Sequence, residues 1–205
     1  QDGAKVLMLQ KEPTVLSQGN GVTGIVADKS DGTALMRFVH VITEEVEFRN
    51  DREQLKVYAF NSGEANKWLA DEVAASGYEN YSAYETESAV DYGETFGQLT
   101  TYTCYFNKPG NTGTGLRAIL ESYPEIDARY STPAVKLIKD GDKITGVYAK
   151  DAEGNFYKFT ANKGVVIATG DYQNNLPMVE RFCPDVLHFE PKQYNRTGDG
   201  QLMGM

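Results

Sequence analysis

Two short segments toward the C-terminal end carry the residue types best suited to holding a ligand. Gly164-Val-Val-Ile-Ala-Thr-Gly170 is a continuous apolar run that closes on Ala168, Thr169 and Gly170. Such a run predicts a strand buried on both faces, stopping where main chain must approach a ligand closely. Further on, Thr197-Gly-Asp-Gly200 offers small residues, free amides and one carboxylate, Asp199. Near the start, Gln18-Gly-Asn-Gly21 is a small loop able to bring main-chain amides beside an anion, although Asn-Gly also makes ordinary turns. This is the chemistry of binding, and nothing in the chain adds a catalytic set. His40 and His188 lack metal-ligating companions, and no Ser/His/Asp or Cys/His arrangement suggests itself. Cys104 and Cys183 are too isolated for a disulfide framework or a CxxC site. Glu44, Glu45 and the acidic stretch from Glu85 to Glu94 read as solvated faces. No residue is therefore assigned as catalytic or metal-binding.

Composition sets the frame for these segments. At 205 residues the chain suits one domain, or one domain and part of another, and can bury a sizeable core. A hydrophobic share of 40% with 24% charged residues is that of a globular protein. The net charge of −9 argues against nucleic acid or an anionic membrane as partner, while leaving room for a local basic pocket. No stretch reaches the ~20 apolar residues of a membrane span. No secretory signal is visible, but the chain does not begin with Met, so the compartment stays open.

The elements that must position the two segments follow from periodicity. Val6-Leu-Met-Leu9 predicts a parallel strand at the very start of the chain. Two helices are expected next. Asn50 with Glu53 caps one before Leu55 and Tyr58, and Asn61 with Glu64 caps another before Trp68, Leu69 and Val73, with Gly77 ending it. Residues 78–111, rich in Tyr, Glu, Ser and Thr without a clean period, read as long loops with a little irregular strand. Loops that long cover or bind something, or pack on their own aromatics. Gly113 and Gly115 precede a helix through Leu116, Ile119, Leu120 and Tyr123, and Ile126 to Tyr130 predicts a strand. A three-stranded meander is expected at 134–139, 143–150 and 155–161, turned at Asp140-Gly-Asp142 and Asp151-Ala-Glu-Gly154. Then come the strand Val165–Ala168 and a helix with Pro177 in its first turn. The order is an α/β plan with a parallel sheet and an inserted β-layer.

Read as an ordered series, these features resemble the FAD-dependent fumarate reductase/succinate dehydrogenase flavoprotein family, over nearly the whole chain. Gly3-Ala-Lys-Val-Leu-Met-Leu-Gln-Lys11 looks like the family's second strand, and Gln18-Gly-Asn-Gly21 like the loop after it. The resemblance implies a Rossmann-like, glutathione-reductase-type FAD-binding domain. It would lie over residues 1–205, with a helical and irregular insertion at 32–112 and the meander at 134–161. It implies cofactor contacts from Gln10, Lys11, Gln18, Gly19, Asn20, Gly21, Ala134, Val135, Ala168, Thr169, Gly170, Thr197, Gly198 and Asp199. Gln10 stands where the family has a Glu that accepts from the adenosine ribose hydroxyls. Its amide oxygen accepts too, without a carboxylate's charge. Ala134 and Val135 match the position whose main chain reads the adenine edge. Asp171 stands where Gly is usual after Ala-Thr-Gly. Asp199 matches the residue that accepts from the ribityl chain or orients the diphosphate.

The family's first strand with its G-x-G-x-x-G turn would be expected before Gln1, and its capping and substrate-binding residues after Met205. The domain is therefore expected to be incomplete at both ends. By resemblance, the whole protein transfers a hydride between FAD and a carbon–carbon bond of a small unsaturated acid, in a bacterial cytoplasm or periplasm. Two alternatives stand beside this: a non-catalytic piece that binds no FAD by itself, and an unrelated α/β binding module. An exposed edge at Val6–Leu9 would favour a homodimer.

Overall fold

Among the described residues, one parallel sheet and two antiparallel sheets, with five α-helices, make a mixed α/β fold. The computed structural model describes residues 3–17, 19–89, 97–106 and 111–205. In chain order the strands are β1 (Leu7–Leu9), β2 (Gly21–Ile25), β3 (Tyr81–Ala89), β4 (Gln98–Phe106), β5 (Asp127–Arg129), β6 (Ala134–Asp140), β7 (Lys143–Lys150) and β8 (Phe156–Thr160). The helices are α1 (Gly32–Glu45), α2 (Arg52–Ala75), α3 (Asn111–Glu121), α4 (Leu176–Phe182) and α5 (Asp199–Gly204). Contacts divide the chain into two units, one of Gln1–Thr14 with Glu125–Met205 and one of Val15–Pro124.

In the first unit β1 pairs in parallel with β5, Met8 opposite Ala128. The ladder runs on past the strand ends: Gln10 N–H donates to the Arg129 carbonyl, and Thr132 N–H to the Gln10 carbonyl. β6, β7 and β8 form the expected antiparallel meander. The register skips one residue at Val135: Ala134 faces Ala149 and Lys136 faces Tyr148, so Val135 is the extra residue of a bulge. Helix α4 begins at the Asn175 cap, whose side chain accepts from Met178 N–H, with Pro177 in the first turn.

The expected strand Val165–Ala168 is corrected. Residues 164–170 are not part of any sheet. Val166 is 91% exposed and Ile167 45%. An apolar run becomes a buried strand only where neighbours supply a ladder on each side. Among the described residues none does so here.

In the second unit β2, β4 and β3 form an antiparallel sheet in that order. Helix α1 starts at the Asp31 cap and presents Ala34, Leu35 and Val39 to Ile25, Ala59 and Leu99 in one core cluster. A second cluster gathers Ala70, Val73, Cys104 and Phe106. Helix α2 approaches β2 closely. A Cβ on Gly63 would lie 2.4 Å from the Ile25 carbonyl oxygen, and one on Gly24 2.2 Å from that of Ser62. Ser62 Oγ also accepts from Ile25 N–H at 2.9 Å.

Three further expectations are corrected in this unit. The two helices expected around Asn50 and Asn61 are one, α2, capped by Asp51, whose side chain accepts from Glu53 and Gln54 N–H. Asn61 lies mid-helix and donates back to the Val57 carbonyl, so its cap-like spacing has no terminus to serve. The loop expected over 78–111 is largely the hairpin of β3 and β4, nine residues each; residues 90–96 and 107–110 lie outside the described residues. Its period was masked because β3 shows mostly polar, exposed residues, while β4 buries Leu99, Thr100, Cys104 and Phe106. Helix α1 has no counterpart among the named expectations. Gly113 and Gly115 fall inside α3 rather than before it, where Gly115 lies against the Phe106 ring.

Candidate functional site

The first unit brings together segments far apart in sequence. Lys11, just past β1, donates from Nζ to Thr197 Oγ1 at 2.6 Å and to Asp199 Oδ2 at 2.8 Å. Thr197 Oγ1 in turn donates to Asp199 Oδ1 at 2.9 Å. One ammonium thus pins both ends of the Thr-Gly-Asp turn and neutralises its carboxylate. The pair is partly solvated, at 37% and 38% exposure, so it orders the turn more than it stabilises the fold.

The same turn packs on the end of the extended run. A Cβ on Gly200 would lie 2.1 Å from Thr169 Oγ1 and 2.5 Å from Ile167 Cγ2, so only glycine allows this approach. Gly170 and Gly198 both take φ in the left-handed region, +78° and +73°. Such values strain any residue with a Cβ. Gly198 N–H donates to the Asp171 carbonyl at 3.3 Å, and Gln201 Nε2 to the Gly170 carbonyl at 2.8 Å. Gln201 Oε1 is buried and has no partner among the described residues. Asp171, which stands where Gly is usual, turns its carboxylate to Gln173, accepting from its N–H at 2.9 Å.

Of the residues singled out from the sequence, Lys11, Ala168, Thr169, Gly170, Thr197, Gly198 and Asp199 belong to this cradle or its edge. Ala134 and Val135 open β6, which α5 contacts. The bulge leaves the Val135 main chain without a ladder residue of its own. Gln10 turns its amide oxygen back onto Glu12 N–H at 3.2 Å. Gly19, Asn20 and Gly21 belong to the second unit, and Gln18 lies outside the described residues. There Asn20 donates to Tyr105 Oη at 2.6 Å, and Thr112 Oγ1 to the Gly19 carbonyl at 3.0 Å, so the loop is tied to β4 and α3.

Sequence reasoning missed Arg196 and Gln201. Arg196 lies across Gly170 and donates from Nη1 to the Thr169 carbonyl. A basic residue directly before a Gly-rich turn in an acidic chain was the available signal. Left-handed glycines, an open main-chain edge, a bulge and two cations form a donor set that suits a large ligand with a phosphate linkage, so the residues present fit a dinucleotide such as FAD.

Comparison with known proteins bears on what that ligand is. The chain resembles a 3-ketosteroid-Δ4-(5α)-dehydrogenase from Rhodococcus jostii, solved with 4-androstene-3,17-dione, at TM-score 0.70 and 19% identity, over 98% of this chain and 48% of that one. It resembles a flavocytochrome c3 fumarate reductase in an open conformation at TM-score 0.68 and 20% identity, over 98% and 36%. The Mycobacterium smegmatis Sdh1 complex in its apo form follows at TM-score 0.55 and 16% identity, over 85% and 32%. At such identities the likeness is one of fold, and the chain spans about half or less of each of these proteins. No curated protein gives a significant match. The model of the FAD binding domain family matches residues 1–203. By that match, over nearly its full length, the chain belongs to the FAD binding domain family, whose cofactor is FAD.

Proposed function

We propose that the cradle of Lys11, Thr169, Gly170 and Thr197–Asp199 holds FAD, and that the whole protein moves a hydride between FAD and a carbon–carbon bond of a small unsaturated acid. The observation that carries this is the convergence of Lys11, Gly170 and the Thr-Gly-Asp-Gly turn, 186 positions apart at the extremes of Lys11 and Thr197, in a chain of an FAD-binding family. When bound, the flavin supplies the hydride chemistry.

The chain's own residues bind and orient. Asp199, with both oxygens already engaged, keeps lone pairs to accept from a ribityl hydroxyl. Lys11 holds that carboxylate in place and keeps a third N–H for a ligand oxygen. The Val135 main chain offers a donor and an acceptor to the adenine edge. Ala168, Thr169 and Gly170 line the adenosine side, and Gln10 accepts from a ribose hydroxyl after leaving Glu12 N–H. No residue here is assigned an acid, base or substrate-clamping role.

A second reading has a specific observation in its favour: Lys11 and Thr197 already satisfy Asp199 internally, as in a domain that binds nothing there. Titration of the chain with FAD, read by quenching of flavin fluorescence, separates the two. Saturable binding supports the flavin reading, and its absence supports the second. For the reaction, anaerobic reoxidation of the reduced flavin by fumarate-like acids is expected in the whole protein. Reoxidation only by a 4-ene-3-ketosteroid, whose carbon–carbon double bond takes up the hydride and a proton, would replace the acid with a steroid. We also propose self-association through β1, which pairs with β5 alone among the described residues and leaves Val6 45% exposed. Sedimentation should show a dimer, and a monomer at all concentrations would remove that reading.

A further inference from the structure

We propose that Arg196 is an anion-binding residue of the cradle, donating to a phosphate oxygen of the cofactor's diphosphate linkage; this rests on the FAD reading above. Arg196 is not merely near the Thr-Gly-Asp-Gly turn but built into place. Its Nε donates to Gln193 Oε1 at 2.6 Å and its Nη1 to the Thr169 carbonyl at 3.3 Å. Gln193 N–H and Lys192 N–H both donate to Gln173 Oε1, at 3.0 and 2.7 Å, and Gln173 is itself held by the Asp171 carboxylate. Asn174 N–H donates to the Arg196 carbonyl at 2.8 Å, and Asn175 Nδ2 to the Thr197 carbonyl at 2.8 Å. With Asn174 Nδ2 donating to the Tyr194 carbonyl at 2.5 Å, five bonds therefore tie residues 192–197 to residues 171–175 around one guanidinium.

Every acceptor on that guanidinium is neutral. Among the described residues no carboxylate comes within ion-pair distance of Arg196, since Asp171 turns to Gln173 and Asp199 to Lys11. In a chain with nine more acids than bases, a half-buried arginine held rigid without a counter-charge is poised for an external anion. A guanidinium has five N–H donors, and the two bonds described leave others for a phosphate oxygen. The Lys11 charge is spent on Asp199, so Arg196 is the net positive group where the extended run meets the turn. The plain structural role, a clamp on the Thr169 carbonyl, needs neither the scaffold of glutamines nor a charge.

The test is the FAD dissociation constant of the 205-residue chain, its R196M variant and its R196K variant at low and high salt, with the ligand-free melting temperature of each. R196M is expected to weaken binding about ten- to hundred-fold, as for a lost hydrogen bond to a charged group. It should also flatten the salt dependence, while R196K keeps most of both. R196M binding FAD as tightly as the parent overturns the assignment, as does a loss of affinity with the salt dependence unchanged. Failure of the unsubstituted chain to bind FAD overturns the FAD reading and this assignment together, a result distinct from the other two.

Discussion

At the scale of single residues, Lys11 and Asp199 carry the account. Replacing Lys11 with Met removes the only cation paired with Asp199 among the described residues and leaves that carboxylate, proposed to accept from the ribityl chain, without its positioning partner. FAD affinity should fall severalfold or more, while the folding stability changes by less than about 1 kcal/mol, because the pair is partly solvated. Equal FAD affinity in K11M, by the same titration, would remove Lys11 from the site. Cys104 gives an independent check on the core. Burial pushes its thiol above the usual range, and the thiolate is the reactive form. At pH 8 Cys104 should therefore react with an aromatic disulfide far more slowly than half-exposed Cys183. Matching rates would mean that the Phe106 cluster opens freely. The turn at Thr197, Gly198 and Asp199 was legible because glycines around one carboxylate are local turn chemistry. Arg196 was not, since its meaning comes from Gln173 and Gln193, which fold brings to it.

At the scale of elements, the α2–β2 contact is the most demanding. Gly63→Ala would place a methyl against the main chain of Ile25 and Val26, which cannot rotate away. A loss of roughly 1–3 kcal/mol is expected, as for other overpacked sites, read as a lower denaturation midpoint. An unchanged midpoint would show that the helix and strand separate at little cost. The sequence made the meander readable through its two hairpin turns and α4 through Pro177, because these signals are local. It hid the continuity of α2, since Asn61 mimics a cap that only the packing of Gly63 and Asn66 overrules. It hid β3 and β4 because partnership across a sheet, rather than pattern along one strand, decides burial there. The run at 165–168 misled for the converse reason: its composition promises a ladder that no described residue supplies.

At the scale of the whole molecule, composition indicated a globular chain, and the resemblance carried by motif order implied the FAD-binding domain that the family match over residues 1–203 shows. Neither revealed that the chain divides into the units Gln1–Thr14 with Glu125–Met205, and Val15–Pro124. That division depends on contacts between residues more than a hundred positions apart, such as Leu9 with Arg129. No helix among the described residues is long and apolar enough to cross a membrane. Lys11, Thr169, Gly170 and Thr197–Asp199, the residues proposed to hold the cofactor, all fall in the first unit, so the central claim concerns that unit. The measurement that tests it most directly is a titration of the chain with FAD, followed by flavin fluorescence and repeated with an Asp199→Asn variant. The account predicts saturable quenching by the unsubstituted chain and a clear loss of affinity in D199N. No quenching, or quenching that D199N leaves untouched, would contradict it.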